Sequence, residues 1–231
     1  MSQSRDPAQS HHYREMESVE RQKKYKDYGW VNPDSGNGES GERLAETLVE
    51  QVRELEGIRS ICDLGCGNGY LAGRLAALGY DVTGIDASQS GIELAKKYYT
   101  NACFLRECLD VDLGQRAGIG DFDLVISSDV IEHLYRPADL LEAAYNLLNP
   151  CGHILVGTPY HGYWKNLALS VAGRMDAHFS PLWNGGHIKF FSVKTLSQLV
   201  AGSGFDIIDF SFYGRAPWLW KNMICHARKH V

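Results

Sequence analysis

The sequence predicts an α/β protein, a doubly wound and mostly parallel sheet with helices on both faces and an antiparallel last strand. Apolar, strand-like runs alternate with helical patterns from about residue 42 to residue 160, which demands crossover connections and a parallel sheet. A glycine-rich turn, Gly65, Gly67 and Gly69, directly follows the first of those runs. Near the C-terminal end two strand-like runs follow one another through a short turn, the pattern of an antiparallel pair at a sheet edge.

The elements follow in order. Residues 1–40 form a polar arm ending in the turn-rich "NPDSGNGESGE", and the main domain is expected over 41–231. From Glu42 the period becomes helical, with Leu44, Leu48, Val49, Val52 and Leu55 on one face. "IRSICDL" (58–64) reads as a buried strand and "YLAGRLAALG" (70–79) as a helix ended by glycine. "DVTGID" (81–86) is a second strand, and Ser88 is placed to cap the helix that follows. Further strands are expected at 102–108, 121–129 and 153–159, with helices at 137–148 and 192–202. "FDIIDFSFYG" and "WLWKNMICHARK" supply the closing pair.

Bulk properties exclude several classes. A net charge of −5 offers no basic face for nucleic acid. No apolar run approaches the roughly 18 residues that span a bilayer. The N-terminal stretch is charged and lacks the apolar core of a signal peptide. The six cysteines contain no CxxC pair and several sit in apolar runs, so they read as small buried hydrophobes in a reducing compartment. A cytoplasmic protein is expected.

The glycine turn narrows the ligand. A dinucleotide fingerprint wants G-x-G-x-x-G, and Tyr70 stands where its third glycine belongs. A triphosphate loop needs a G-K-[ST] ending, which is absent. A G-x-G-x-G turn after a strand, with Asp63 just before it, suits a ligand that joins an amino-acid moiety to an uncharged nucleoside. Asp63 can hold the ammonium group, directly or through water. Asp86, at the end of the second strand, is placed for ribose hydroxyls. The expected binding set is Asp63, Gly65, Cys66, Gly67, Asn68, Gly69, Asp86, Ala87, Ser88, Ser127 and Ser128.

Three stretches, "DLGCGNGYLAGRLAALGYDVTGIDAS", "FDLVISSDVIEHL" and "LLNPCGHILVGTP", resemble the successive motifs of class I S-adenosylmethionine-dependent methyltransferases. Within that superfamily, "GIDAS", the "EH" of "DVIEHL" and "GGHIKFFSVKTLSQLVAGSGF" resemble the ubiquinone-biosynthesis O-methyltransferases. The resemblance implies a Rossmann-like sheet of about seven strands, S-adenosylmethionine as cofactor and a small-molecule methyl acceptor. Two departures stand out. The usual Pro-Gly-Gly before the fifth strand is Pro150-Cys151-Gly152, and the first glutamate before "xxEH" is Asp129.

The sulfonium is already activated, so the protein must position an acceptor and manage its proton. Ligands in open α/β sheets sit at the carboxyl ends of the strands, which places Ser127, Ser128 and Asp129 near the methyl group. His133 follows directly and is the first candidate base, with Asp129 beside it and His187 next in line. The other expectation for His133 is helix capping or packing against the cofactor. His11, His12, His226 and His230 lie in polar terminal contexts, and His153 reads as structural.

At i, i+3 and i+4, Asp129, Glu132 and His133 could share a helical face and hold a divalent ion. The resemblance points to such an ion. Capping of a helix N-terminus by the two carboxylates is the reading the sequence favours. Residues from about 160 to 191 form an apolar insertion carrying Tyr160, Tyr163, Trp164, Phe179 and Trp183. It reads as a lid, with a satellite core, a dimer surface or a peripheral membrane contact as the other uses. A monomer or homodimer that methylates a hydroxyl oxygen of phenol or quinone-precursor type is expected. The alternatives are an N-methyltransferase for an amine or amino sugar and a non-catalytic cofactor-binding module.

Overall fold

The computed structural model describes residues 27–34, 39–179, 181–183, 185–214 and 216–230. His11, His12 and much of the polar arm lie outside the described residues. The first helix, α1 (Glu39–Glu54), starts slightly before the apolar period does. Then come β1 (Ser60–Leu64), α2 (Tyr70–Ala77), β2 (Asp81–Asp86), α3 (Gln89–Tyr98), β3 (Cys103–Arg106) and α4 (Leu113–Ala117). The chain continues through β4 (Phe122–Ser128), a 3₁₀ turn (Ile131–His133), α5 (Pro137–Leu147) and β5 (Leu148–Pro159). The insertion holds α6 (Tyr163–Val171) and α7 (Met175–Phe179), and α8 (Val193–Gly202), β6 (Phe205–Tyr213) and β7 (Asn222–Lys229) close the fold.

One seven-stranded sheet results, in the order β3-β2-β1-β4-β5-β7-β6. The strands β1 to β5 pair in parallel, and β7 runs antiparallel to both β5 and β6. Strand order reverses between β1 and β4, so their carboxyl ends splay apart into a crevice. That crevice fixes where a ligand goes.

The central strands are apolar on both faces because both faces are covered. Cys62, Leu64, Val125, Ile154 and Val156 pack on Leu140, Leu141 and Leu147 of α5 and on Leu196 and Val200 of α8. Their sequence neighbours Ile61, Leu124, Ile126 and Leu155 face Leu44, Leu48, Leu71, Leu75 and Ile92 of α1, α2 and α3. The period of two in each strand thus builds two cores, one per face. Cys62, Cys66 and Cys225 are buried as expected for small apolar side chains, whereas Cys103 is exposed.

Backbone strain falls in telling places. Cys151, standing where the related pattern has glycine, carries φ 62°, the conformation a glycine adopts freely. Gly65, Gly67 and Gly69 have φ of 83°, 53° and 81°, so the G-x-G-x-G spacing is a run of left-handed turns. A Cβ on Gly69 would lie 2.7 Å from Ala95 Cβ and 2.8 Å from the Phe104 ring. Left-handed strain of about 1–2 kcal/mol and a clash of about 1–3 kcal/mol should combine in Gly69→Ala. The melting temperature is expected to fall by roughly 5–15 °C. A change within about 2 °C would refute the steric account.

Candidate active site

The glycine loop is tied to its neighbours through the backbone. Gly65 and Cys66 N–H both donate to Ile85 O, at 2.8 and 3.0 Å. Gly67 N–H donates to Asp86 Oδ2 at 2.9 Å, and Ser88 N–H to Asp86 Oδ1 at 2.7 Å. Asp86 therefore joins the loop to the start of α3, and each oxygen keeps a lone pair for a ribose hydroxyl. Burial raises its pKa against those hydrogen bonds. Asp63 is only 2 % exposed, and burial together with the Asp86 charge pushes its carboxyl up to about 7. A buried acid in that state is poised to ionise when a cation arrives.

Several side chains expected to meet the ligand are engaged elsewhere. Ser88 Oγ caps α3 by accepting from Gly91 N–H at 3.0 Å. Ser127 Oγ donates to Leu64 O at 2.8 Å, bracing β4 against β1. Asn68 Nδ2 donates to Asn32 O and Asp34 O, at 2.8 and 2.6 Å. Its role is to hold a strap, residues 27–34, that crosses the glycine loop.

This strap is the part of the site that the sequence did not disclose. Asp27 accepts from Gly29 N–H at 2.8 Å, Ser90 N–H at 2.9 Å and Ser88 Oγ at 2.9 Å, and also from Ser90 Oγ. Burial opposes its charge, but the bonds from Ser90, Gly29 and Ser88 prevail and hold its carboxyl below the usual range. Trp30 N–H donates to Ser90 Oγ at 2.9 Å. Its ring lies so close to the loop that a Cβ on Gly67 would sit 2.7 Å from Trp30 Cζ2. Tyr28 packs on Trp30 with ring centroids 5.0 Å apart and reaches Trp183 of the insertion at 6.4 Å. An aromatic pair inside an otherwise polar arm was the one available signal.

At the far side of the crevice, past β4, Asp129 turns through a left-handed φ of 54°. Burial pushes its carboxyl up to about 6 against the pull of the Lys221 charge. Glu132 follows on the 3₁₀ turn, 1 % exposed, with Oε2 accepting from Thr158 Oγ1 at 2.9 Å. Its Oε1 is buried without a hydrogen-bond partner among the described residues, and His187 Nε2 stands 3.9 Å away. Burial and the Asp129 charge push the Glu132 carboxyl well up. His133 Nδ1 lies 2.9 Å from Gly185 O. A carbonyl only accepts, so Nδ1 carries the proton and Nε2 keeps its lone pair. Burial lowers the His133 pKa against the bonds from Gly185 and Gly186, and burial with the His133 and His178 charges lowers His187 to about 4. Both rings are thus neutral near pH 7.

The expected triad of Asp129, Glu132 and His133 does not form a helical face. The left-handed turn at Asp129 and the short 3₁₀ segment separate the first residue from the other two. Nor do the carboxylates cap a helix, since neither the 3₁₀ turn nor α5 has a side-chain cap. Instead one ligand atom from each of Glu132, His133 and His187 lies within 4.8 Å of the others. The insertion brings His187 there: Ile188 and Lys189 N–H both donate to Glu132 O at 2.9 Å. Of the remaining histidines, His153 and His226 bond each other across β5 and β7 at 2.9 Å, and His161 packs on Phe179 and Phe190.

The family pattern for a methyltransferase domain matches residues 37–209. The chain belongs to the class I S-adenosylmethionine-dependent methyltransferases. It is 32 % identical over 170 residues to the ubiquinone biosynthesis O-methyltransferase of Roseobacter denitrificans, covering 72 % of this chain and 68 % of that one. The enzyme of the same description from Caulobacter sp. is 33 % identical over 165 residues, 66 % of this chain and 61 % of that one. Among solved structures, magnesium protoporphyrin IX methyltransferase from Synechocystis PCC 6803 with bound SAH superposes with a TM-score of 0.60 at 19 % identity, covering 89 % of this chain and 90 % of that one. A SAM-dependent methyltransferase from Archaeoglobus fulgidus gives 0.63 at 16 % identity, over 81 % and 94 %. These likenesses agree with the seven-stranded sheet.

For the methyltransferase, S-adenosylmethionine is the methyl donor, and contact of its ammonium with Asp63 would give binding a pH dependence. The ammonium would favour the ionised carboxylate, so binding would expel the proton that Asp63 holds below about pH 7. Affinity should therefore fall as pH drops below about 7, approaching tenfold per unit, and level off above it. Calorimetry from about pH 5.5 to 8 reads this directly, and Asp63→Asn should flatten the profile. A flat profile in the native enzyme would remove Asp63 from contact with the ammonium.

Proposed function

We propose that this methyltransferase transfers a methyl group to a hydroxyl oxygen of a small phenolic acceptor. The observation that carries the reading is the cluster of Glu132, His133 and His187 beside Asp129 at the carboxyl end of β4. Deprotonating a hydroxyl needs an unprotonated base, and His133 offers one with its free lone pair fixed on Nε2 by Gly185. An amine acceptor would need no such group. The O-methyltransferase relatives support the same acceptor atom.

In this reading Asp129 orients the acceptor hydroxyl toward the methyl group. The oxygen attacks the methyl carbon in line, the carbon–sulfur bond breaks with its electron pair returning to sulfur, and the hydroxyl proton passes to His133 Nε2. S-adenosylhomocysteine leaves as a neutral thioether. The donor set also suits a divalent ion, because Glu132 Oε1 is a buried oxygen lacking a partner among the described residues and two imidazoles face it. Such an ion, held by Glu132, His187 and His133 Nε2, would take the place of the imidazole base and lower the acceptor's pKa as a Lewis acid.

The insertion serves as the lid. Trp183 packs edge-on against His133 and His187, each at 5.9 Å, which keeps water from the reacting atoms. No described helix is long and apolar enough to cross a membrane. Tyr163, Trp164, Leu167 and Val171 nonetheless leave α6 exposed along an apolar face, which fits shallow contact with a lipid surface when the acceptor is lipid-borne.

Incubation with S-adenosylmethionine and a panel of catechols, phenols and amines tests the assignment. Formation of S-adenosylhomocysteine with the hydroxyl compounds is expected. Turnover confined to the amines would sink the oxygen reading, and cofactor binding without any turnover would favour a non-catalytic module.

A further inference from the structure

The closing strand pair does more than finish the sheet. Pro159, Asn222 and Tyr213 form one rung across β5, β7 and β6, at the end of the sheet that faces the crevice. Asn222 is 5 % exposed, a polar side chain just before the apolar run Met223, Ile224 and Cys225, and its Nδ2 donates to Asp129 Oδ1 at 3.3 Å. The Tyr213 hydroxyl is buried beside Asn222. It has no hydrogen-bond partner among the described residues, and burial and then the Asp129 charge push its pKa up.

One edge-strand donor, Asn222, thus reaches the residue just past β4 whose backbone is strained. Asp129 holds a left-handed φ of 54°, and its N–H is spent on Gly157 O at 3.0 Å. Strain of this kind, which is uncommon outside glycine, persists only where surrounding contacts fix it. A carboxylate left without this donor would have several rotamers to choose from and no reason to keep one.

We infer that Asn222 is a positioning residue, which holds the Asp129 carboxylate toward the acceptor and so sets the rate of transfer without touching the reacting atoms. The inference rests on the reading of Asp129 as the acceptor-facing carboxylate. The two can be separated in one experiment with the full chain, S-adenosylmethionine and catechol as probe.

Asn222→Ala is expected to lower kcat about tenfold, as for a lost single hydrogen bond, whereas Tyr213→Phe, which removes a hydroxyl without a partner among the described residues, should stay within about twofold of native. Both should keep cofactor affinity, measured by calorimetry, within about twofold. Adding Asn222→Ala to Asp129→Ala should cost nothing further, because a positioning residue acts through its partner. Additive losses, a native kcat in Asn222→Ala, or a loss in Tyr213→Phe as large as in Asn222→Ala would overturn the inference. So would a parallel fall in cofactor affinity and melting temperature, which marks a purely structural role. Should Asn222→Ala fail to fold, Asn222→Leu, which keeps the volume and removes the donor, and its double variant with Asp129→Ala carry the same test. A native kcat in Asp129→Ala alone would instead defeat the underlying reading of Asp129.

Discussion

Asp86→Ala is expected to weaken S-adenosylmethionine binding by about 1.5–3 kcal/mol, roughly 10- to 150-fold, as for charge-assisted hydrogen bonds to a ribose diol. The carboxylate does two things at once. It would hold the ribose diol in the proposed site, and it ties Gly67 N–H and Ser88 N–H together at 2.9 and 2.7 Å. Asp86→Asn separates these roles, since the amide keeps one acceptor oxygen and the shape of the bridge. Its melting temperature should stay nearer the native value than that of Asp86→Ala, while cofactor affinity falls in both. NAD should bind neither protein measurably, because the turn into α2 is closed by Tyr70 where pyrophosphate recognition needs a third glycine. Indifference of cofactor affinity to either substitution would remove Asp86 from the site.

The centre of the sheet was legible because β1, β4 and β5 are buried on both faces, which makes them apolar runs bounded by turn residues. Ser88 as the cap of α3 was legible too, since capping is local chemistry. What escaped was whatever depends on contacts far along the chain. The helix α4 is five residues long, and the loop before it is held by Arg116 reaching Glu107 and Asp110, each at 2.9 Å. No periodicity records such a clamp. The strap was invisible for the same reason: Asp27 and Trp30 acquire their partners, Ser88, Ser90 and Gly67, only after the sheet has formed.

The cluster beside β4 shows how a local pattern can mislead. The spacing of Asp129, Glu132 and His133 assumes a helix, and the chain instead makes a left-handed turn followed by a single 3₁₀ turn. Glu132 and His133 remain together, and the third place goes to His187, delivered by the insertion. On sequence alone His187 is a candidate base, with nothing to place it against Glu132. Tertiary contact decided the composition of the site.

His133→Ala is the decisive substitution there. If the imidazole accepts the hydroxyl proton as the methyl arrives, kcat should fall by about 10²-fold or more with cofactor affinity nearly unchanged. The geometry favours that split: His133 bonds Gly185 and packs on His187 and Trp183, none of which belongs to the glycine loop. Were the ring instead a support for the cofactor, the same change would weaken cofactor binding and spare kcat at saturation. The metal alternative has its own signature. With a divalent ion held by Glu132, His133 and His187, a chelator should abolish native activity and added Mg²⁺ restore it, and Glu132→Gln should lose that rescue. Chelator-insensitive turnover together with a loss of about a hundredfold in His133→Ala would leave His133 acting alone as base. An unchanged kcat, weaker cofactor binding and no response to metal would take His133 out of the chemistry and make His187, 30 % exposed and neutral near pH 7, the residue that receives the proton.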